Sequence, residues 1–401
     1  MTPAPAPVPV PVAHVSFRNI ALRVLLALVV PAAVQATRPN LQAQTRFASS
    51  QAAGRGPFAR GKPLSTWIAQ AGHYIPEMRR EAVQAIAFAG PGARDAVPVL
   101  IRTVRDANQE VRFWSVVALG KIGPAARDAV PVLILALMDD EREVSLEAKR
   151  SLAAIGPRSV DPLRRALASH DPWVRSHAAE ALGEIGEAAH KSAGDLARLL
   201  ADDSLSVRAS AAWAVGRIGP RAKKAVGALT DALEEEIRRD PVFSSPASRL
   251  LVENLVFALG RMGKHAKRAV RPIGSVLNDG DPHSMVLAAE ALGRIGTQAV
   301  PVLRNTVGSG SRAVQYQSAV ALRMLGSGAR KAVPELIGVL EQTDELEGGK
   351  PVVIAVAEAL GAIGPKARKS LPALSRQLER SGSPDVVAAL ERAIRKITTR
   401  S

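Results

Sequence analysis

From Pro63 onward the apolar positions follow one rule, and its plainest copy is ALGKIGPAARDAVPVL at residues 118–133. Aligned on the second glycine of that string, the pattern recurs at Gly90, Gly123, Gly156, Gly186, Gly219, Gly263, Gly296, Gly326 and Gly364, spaced 33, 33, 30, 33, 44, 33, 30 and 38 residues apart. A period near 33 marks a stacked repeat, in which one unit cannot bury its apolar face alone. Each unit reads as two helices. The first opens at A-V-P-x-L, where Pro98, Pro131, Pro162, Pro272, Pro301, Pro334 and Pro372 sit in a first turn whose N–H groups have no helical partner. A turn with Asp follows, as at Asp171-Pro172 and Asp281-Pro282. The second helix then runs from V-R through A-A-x-A-L-G-x-I with helical apolar spacing, and the glycine after Ile stops it as a left-handed cap. A partial tenth unit, VVAALERAIRKI at 386–397, lacks the glycine and is more charged, as a terminal cap is. The expected architecture is an all-α, right-handed α-solenoid of about nine to ten helical hairpins, occupying residues 63–401.

A second glycine lies inside the second helix at Gly120, Gly183, Gly216, Gly260, Gly293 and Gly361. Such a residue costs roughly 1 kcal/mol against alanine. Its recurrence at one phase predicts close approach of neighbouring helices. Arg323 stands at that phase in its own unit, which predicts loose packing or a bend there. The arginine of V-R is present as Arg79, Arg112, Arg175 and Arg208 and is replaced by Ser145, Val252, Met285, Gln315 and Val353. It predicts an Asp–Arg ladder between units, and its loss predicts a looser second half. Two insertions, EEEIRRDPVFSSP (234–246) and EQTDELEGGKP (341–351), fall between the helices of their units. Repeat logic puts them on the edge opposite the loops that follow the repeat glycines, either as partner-specific loops or as length drift.

Composition sharpens this picture. Hydrophobic residues make up 47% of the 401, but aromatics only 3%, so the apolar mass is aliphatic and suits thin helical layers. The absence of cysteine excludes disulfides, thiolate catalysis and cysteine metal sites. Residues 1–13 are a Pro-Ala-Val run that forms neither helix nor core. Arg18 and Arg23 precede VLLALVVPAAVQA, and small residues stand at Val34 and Ala36. That order is expected of a secretory signal spanning 1–36, with an uncleaved anchor as the alternative. The apolar run is short of the roughly 20 residues of a spanning helix. Residues 37–62 have no periodicity and five cations without an acid, which reads as a disordered basic linker.

The string V-R-x-x-A-A-x-A-L-G-x-I-G-P-x-A-x-x-A-V-P-x-L resembles the HEAT-like repeat first associated with phycobilisome bilin lyases, over about 63–397. The resemblance implies the solenoid. It leaves function open, because such repeats occur in bilin lyases, deoxyhypusine hydroxylases, DNA alkylation-repair relatives and exported bacterial proteins. The hydroxylase relatives hold two irons through His-Glu dipeptides. None of the seven histidines here, His14, His73, His170, His177, His190, His265 and His283, is followed by Glu. His177 with Glu180 is the nearest imitation and reads as a half-exposed helix position. No phosphate-binding glycine motif is present. The chain is therefore expected to have no catalytic residues, metal or cofactor.

What remains is binding. Trp213 stands six residues before its repeat glycine, where Glu180, Glu290 and Glu358 stand in other units. It is either a contact residue or a packing filler. Four residues after the repeat glycine come Arg94, Arg127, His190, Lys223, Lys267, Arg330 and Arg368, followed by Asp95, Asp128, Lys191, Lys224, Arg268, Lys331 and Lys369. Early units neutralise themselves; later ones double the charge. A second series, Lys121, Arg217, Arg261 and Arg294, lies two residues before the glycine, where a cation gains from the helix dipole. The expected function is a non-enzymatic protein-interaction scaffold, exported to the periplasm or cell envelope. It would hold an acidic macromolecule along the basic edge and the concave surface. A protein partner comes first, and an envelope polymer is open. Nucleic-acid binding through the same surface is the runner-up, followed by a bilin-lyase or hydroxylase type of enzyme.

Overall fold

The computed structural model describes residues 58–241, 243–343 and 349–399. The expected signal segment, 1–36, lies outside them. Among the described residues the chain forms ten consecutive helical hairpins. They pair α1 (Leu64–Gln70) with α2 (Pro76–Ala89), α3 (Val97–Thr103) with α4 (Gln109–Ile122), and α5 (Val130–Ala136) with α6 (Arg142–Ile155). Next come α7 (Val160–Ala166) with α8 (Pro172–Ile185), α9 (Ala193–Leu199) with α10 (Leu205–Ile218), and α11 (Val226–Arg239) with α12 (Pro246–Met262). The last four pairs are α13 (Val270–Asp279) with α14 (Pro282–Ile295), α15 (Val300–Ser309) with α16 (Arg312–Leu325), α17 (Val333–Gln342) with α18 (Lys350–Ile363), and α19 (Leu371–Arg380) with α20 (Pro384–Thr398). The tenth unit is thus a complete hairpin. The even-numbered helices stack in direct contact from unit to unit, and the odd-numbered ones form a second, less tightly touching layer. One continuous aliphatic core runs between the layers from Ala59 to Ile397. This is an all-α solenoid.

Local chemistry sets the boundaries. Asn108 caps α4 by accepting the N–H groups of Glu110 and Val111, and Asp281 caps α14 by accepting that of His283 at 2.9 Å. All nine repeat glycines take positive φ, from 52° to 97°, with ψ between −132° and −155°. That is the mirror image of extended backbone rather than the left-handed helical cap expected, and only glycine enters it freely. It is needed because the chain does not simply stop: it reverses into a short 3₁₀ turn that leads to the next unit.

The end of the supposed linker is folded. Phe58–Ala59 and Lys62–Pro63 pair antiparallel, and the Trp67 indole N–H donates to the Ala59 carbonyl at 2.7 Å. Arg60 covers Phe88 and Lys62 covers Trp67, each 4.5 Å from the ring centre. Short-range polarity hid this, because the apolar partners lie in α1 and α2. The first insertion is also less a loop than expected: 234–239 extend α11 by helix. Residues 344–348 of the second insertion lie outside the described set.

The interior glycines sit at the helix–helix contacts. A methyl on Gly183 would lie 2.5 Å from Cζ3 of Trp213, one on Gly216 2.6 Å from Cε1 of Phe257, and one on Gly260 3.0 Å from Ala291. Arg323 does not loosen its unit. Its guanidinium leaves the contact and pairs with Glu358 of the next unit, while α16 and α18 stay packed.

The Asp–Arg ladder exists at three of the four expected positions; at the fourth, Arg208 lies 3.8 Å from Glu236 and meets no Asp of the next unit among the described residues. Arg79 grips Asp106 at 2.6 and 2.7 Å, Arg112 grips Asp139 at 2.8 and 2.9 Å, and Arg175 grips Asp202 at 2.7 and 2.8 Å. Each guanidinium also donates to two carbonyls of its own inter-helix turn. The later units are not simply deprived. In two of them an arginine one helical turn earlier reaches across instead: Arg249 toward Asp281 at 3.5 Å, and Arg312 to the Thr343 hydroxyl at 2.7 Å. Burial raises the pKa of Asp106 and Asp202, but the arginine and backbone N–H donors and the arginine charge outweigh it. Both carboxyls end below their ordinary 3.8. A depressed folded pKa contributes stability above the unfolded value that is lost as pH falls through the folded one. The urea midpoint should therefore drop as pH falls below about 4. A flat midpoint across that range would contradict the ladder's role.

Candidate functional site

The 3₁₀ turns that link one unit to the next decide which side chains face out. In Gly219–Ala225, Gly263–Ala269, Gly326–Ala332 and Gly364–Ser370, short 3₁₀ turns, interrupted at Ala222 and Ala266 in the first two, leave the third and sixth positions after glycine on one inward side. Ala222, Ala225, Ala266, Ala269, Ala329, Ala332, Ala367 and Ser370 are accordingly fully buried. The fourth and fifth positions must point outward. Lys223, Lys224, Lys267, Arg268, Arg330, Lys331, Arg368 and Lys369 are all exposed, and none of the eight forms an ion pair among the described residues. The sequence reasoning missed Arg221, Lys264 and Lys366, one or two residues after the glycine, which are exposed on the same turns. The four turns thus carry three, three, two and three cations and no acid. Of these, Arg221 is tied to Glu187 of the preceding turn at 2.8 Å. The turn after Gly296 is only Thr297–Ala299 and is uncharged, so it interrupts the row.

This charge is localised. Residues 63–192 hold sixteen basic and sixteen acidic side chains, whereas 193–399 hold 29 and 21. The cations of the four turns exceed the whole imbalance of the second half. Without them it would be acidic. Earlier turns neutralise themselves, as expected, with Arg94 3.6 Å from Asp95 and Arg127 3.7 Å from Asp128.

The second series lies on the exposed side of the even-numbered helices. Arg217, Arg261 and Arg294 are exposed. Arg294 pairs with Glu290 at 2.5 Å, and the Arg217 guanidinium lies 5.7 Å from the centre of the Trp213 ring. Trp213 itself is half-buried, its six-membered ring laid over Gly183 of the preceding unit, and Phe257 repeats this over Gly216. These aromatics fill glycine notches between units, so Trp213 acts first as packing. The stack brings the second series up to the linking turns of the first. Arg261 Nη2 lies 3.4 Å from where a β-carbon on Gly219 would stand, and the Arg294 carbonyl 3.5 Å from that point on Gly263. Arg261 therefore flanks the linking turn of the unit before its own with its guanidinium, and Arg294 does so with its main chain alone.

His177 is buried, not half-exposed. The Trp173 ring stands edge-on to it at 4.5 Å, and burial lowers its pKa. Glu180 turns away from it to accept from Lys149 at 2.7 Å and Ser210 at 2.9 Å. Among the described residues no group of three or more His, Asp or Glu is placed to hold a metal ion. A cavity of about 590 Å³ opens between α9 and α11 at the other end of the hairpins, with Asp202, Asp203, Asp231 and Glu235 on its wall.

The family model for HEAT repeats matches residues 64–153 and 130–205, and that for the PBS lyase HEAT-like repeat matches 207–235 and 287–307. The chain is a HEAT-like repeat protein. No curated protein matches this HEAT-like chain in sequence. Among solved structures it is similar to yeast importin-beta (Kap95p), at 15% identity over 84% of this chain and 51% of that one, with a TM-score of 0.54. A Kap121p mutant shares 15% identity over 83% and 41%, with a TM-score of 0.55. An engineered protein shares 24% identity over 84% and 99%, with a TM-score of 0.48. The HEAT-like chain spans about half or less of the importin-type chains, and at such identity the likeness concerns the fold. Among the described residues no helix is long and apolar enough to cross a membrane.

Proposed function

We propose that this HEAT-like protein is a non-enzymatic scaffold that holds an acidic protein partner along its linking-turn edge, in the later units. HEAT solenoids commonly serve as protein-interaction scaffolds. The observation that carries the finer reading is the confinement of excess positive charge to four linking turns that carry no acid of their own and whose cations, Arg221 apart, form no ion pair among the described residues. Stability does not require this arrangement. A helix-dipole role accounts for cations two residues before the glycine, not for doubled cations four and five residues beyond it. We also propose that the protein acts outside the cytoplasm, on the strength of the cation–apolar–small order at 18–36.

The test is charge reversal. K223E/K224E/K267E/R268E alters only exposed side chains and should leave the helical circular dichroism unchanged. Immobilised wild-type chain should retain a partner from the organism's envelope fraction that elutes with salt, and the variant should lose it. Equal retention by a folded variant would remove the edge from consideration.

A further inference from the structure

We infer that the acidic partner is engaged through an extended segment in which acidic side chains recur at every third residue, laid along the linking turns from the one after Gly219 to the one after Gly364. This rests on the reading above and specifies its ligand. The stagger between stacked units adds one cation of the second series, Arg261, to the row of the linking turns. Arg261 joins Arg221, Lys223 and Lys224 beside Gly219, its Nη2 3.4 Å from the β-carbon position there, whereas Arg294 passes Gly263 with its main chain and keeps its guanidinium on Glu290. Successive units repeat at about 8–10 Å, the helix packing distance. A polyproline II segment has three residues per turn and rises about 3.1 Å per residue, so the same face returns every ~9 Å. One turn of such a segment therefore advances by one unit of the solenoid. At physiological salt the screening length is about 8 Å, so a carboxylate out of step with its turn gains little. Register then becomes a source of affinity.

Two other occupants fit less well. A helix docked in a groove needs apolar anchors, and no large apolar side chain is exposed on these four turns. Single-stranded nucleic acid needs open aromatic faces on which to stack. Here the Trp213 and Phe257 rings are laid over Gly183 and Gly216, and Arg217 sits by the indole. The uncharged Thr297–Ala299 turn adds a further constraint: the acidic residue opposite it is dispensable.

The probes are fluorescent peptides of about fifteen residues with five glutamates. In one, glutamate stands at every third position. In the other, of the same composition, the glutamates are contiguous. Titrated against the full chain at physiological salt, the spaced peptide should bind about tenfold more tightly. Replacing its central glutamate by alanine should change affinity less than replacing either neighbouring one. Reversal of Lys223, Lys224, Lys267 and Arg268 to glutamate should abolish the preference for spacing. Equal binding of the two peptides, or tighter binding of a single-stranded oligonucleotide of equal charge, would overturn the inference. If the charge-reversed chain still lost its envelope partner, the scaffold reading would survive that failure. Should reversal affect neither the peptides nor the partner, both readings fall together.

Discussion

Gly183→Leu should break the contact between α8 and α10 and lower stability by more than about 3 kcal/mol, at the upper end of the range for overpacked cores. The first atom added is already too much. A β-carbon at residue 183 would meet Cζ3 and Cε3 of Trp213 at 2.5 and 2.8 Å and the Cα of Ala214 at 2.9 Å. The ring cannot retreat without leaving its notch, and the Cα belongs to the neighbouring helix. Even Gly183→Ala should be destabilising, because about 1 kcal/mol of helix propensity is smaller than the 1–3 kcal/mol that overpacking costs. Gly338 supplies the opposite case. It lies inside α17 with nothing within 4 Å of the β-carbon position, so Gly338→Ala should gain roughly 0.5–1 kcal/mol. Urea unfolding of the three variants reads the signs directly. If Gly183→Ala and Gly338→Ala shift the midpoint in the same direction, close approach is not the reason for the interior glycines.

Arg112→Ala should cost about 2 kcal/mol or more, short of the 3–5 kcal/mol of a fully buried pair. Asp139, only 10% exposed, would keep the Glu141 N–H at 3.0 Å but lose both guanidinium bonds. The carbonyls of Asp106 and Ala107 would lose their donor as well. Arg80→Ala is the control. Its bond to Glu110 is as short, at 2.7 Å, but the side chains are 43% and 53% exposed, so the loss should stay below about 1 kcal/mol. Because each unit touches only its neighbours, the damage should be local. Hydrogen exchange should accelerate in α3 to α6 before it changes in α14 to α20. Uniform acceleration along the chain would mean that the array unfolds as one body and that the ladder is not a local tie.

Much of this fold is legible one residue at a time, because the repeat states each rule nine times. Periodicity alone determined the hairpins, their order, the glycine stops and the close approach at Gly120, Gly183 and Gly216, since a glycine recurring at one helical phase has few other causes. The outward pairs such as Lys223 and Lys224 followed from the same spacing, and the Asp–Arg ladder from the recurrence of Arg79, Arg112 and Arg175. What depends on neighbours in space was not legible. A sequence window does not reveal that Arg249 and Arg312 take over the ladder from one turn earlier, because a guanidinium reaches across a unit boundary and its origin can shift along the helix. Nor does it reveal that His177 is covered by Trp173, that Arg323 turns out to Glu358, or that Phe58–Pro63 close onto the first hairpin through Trp67 and Phe88. The joining of Arg261 to the turn of the preceding unit was decided only by stacking. Sequence spacing fixes where a side chain lies within its own unit, and the offset between stacked helices fixes which unit it serves.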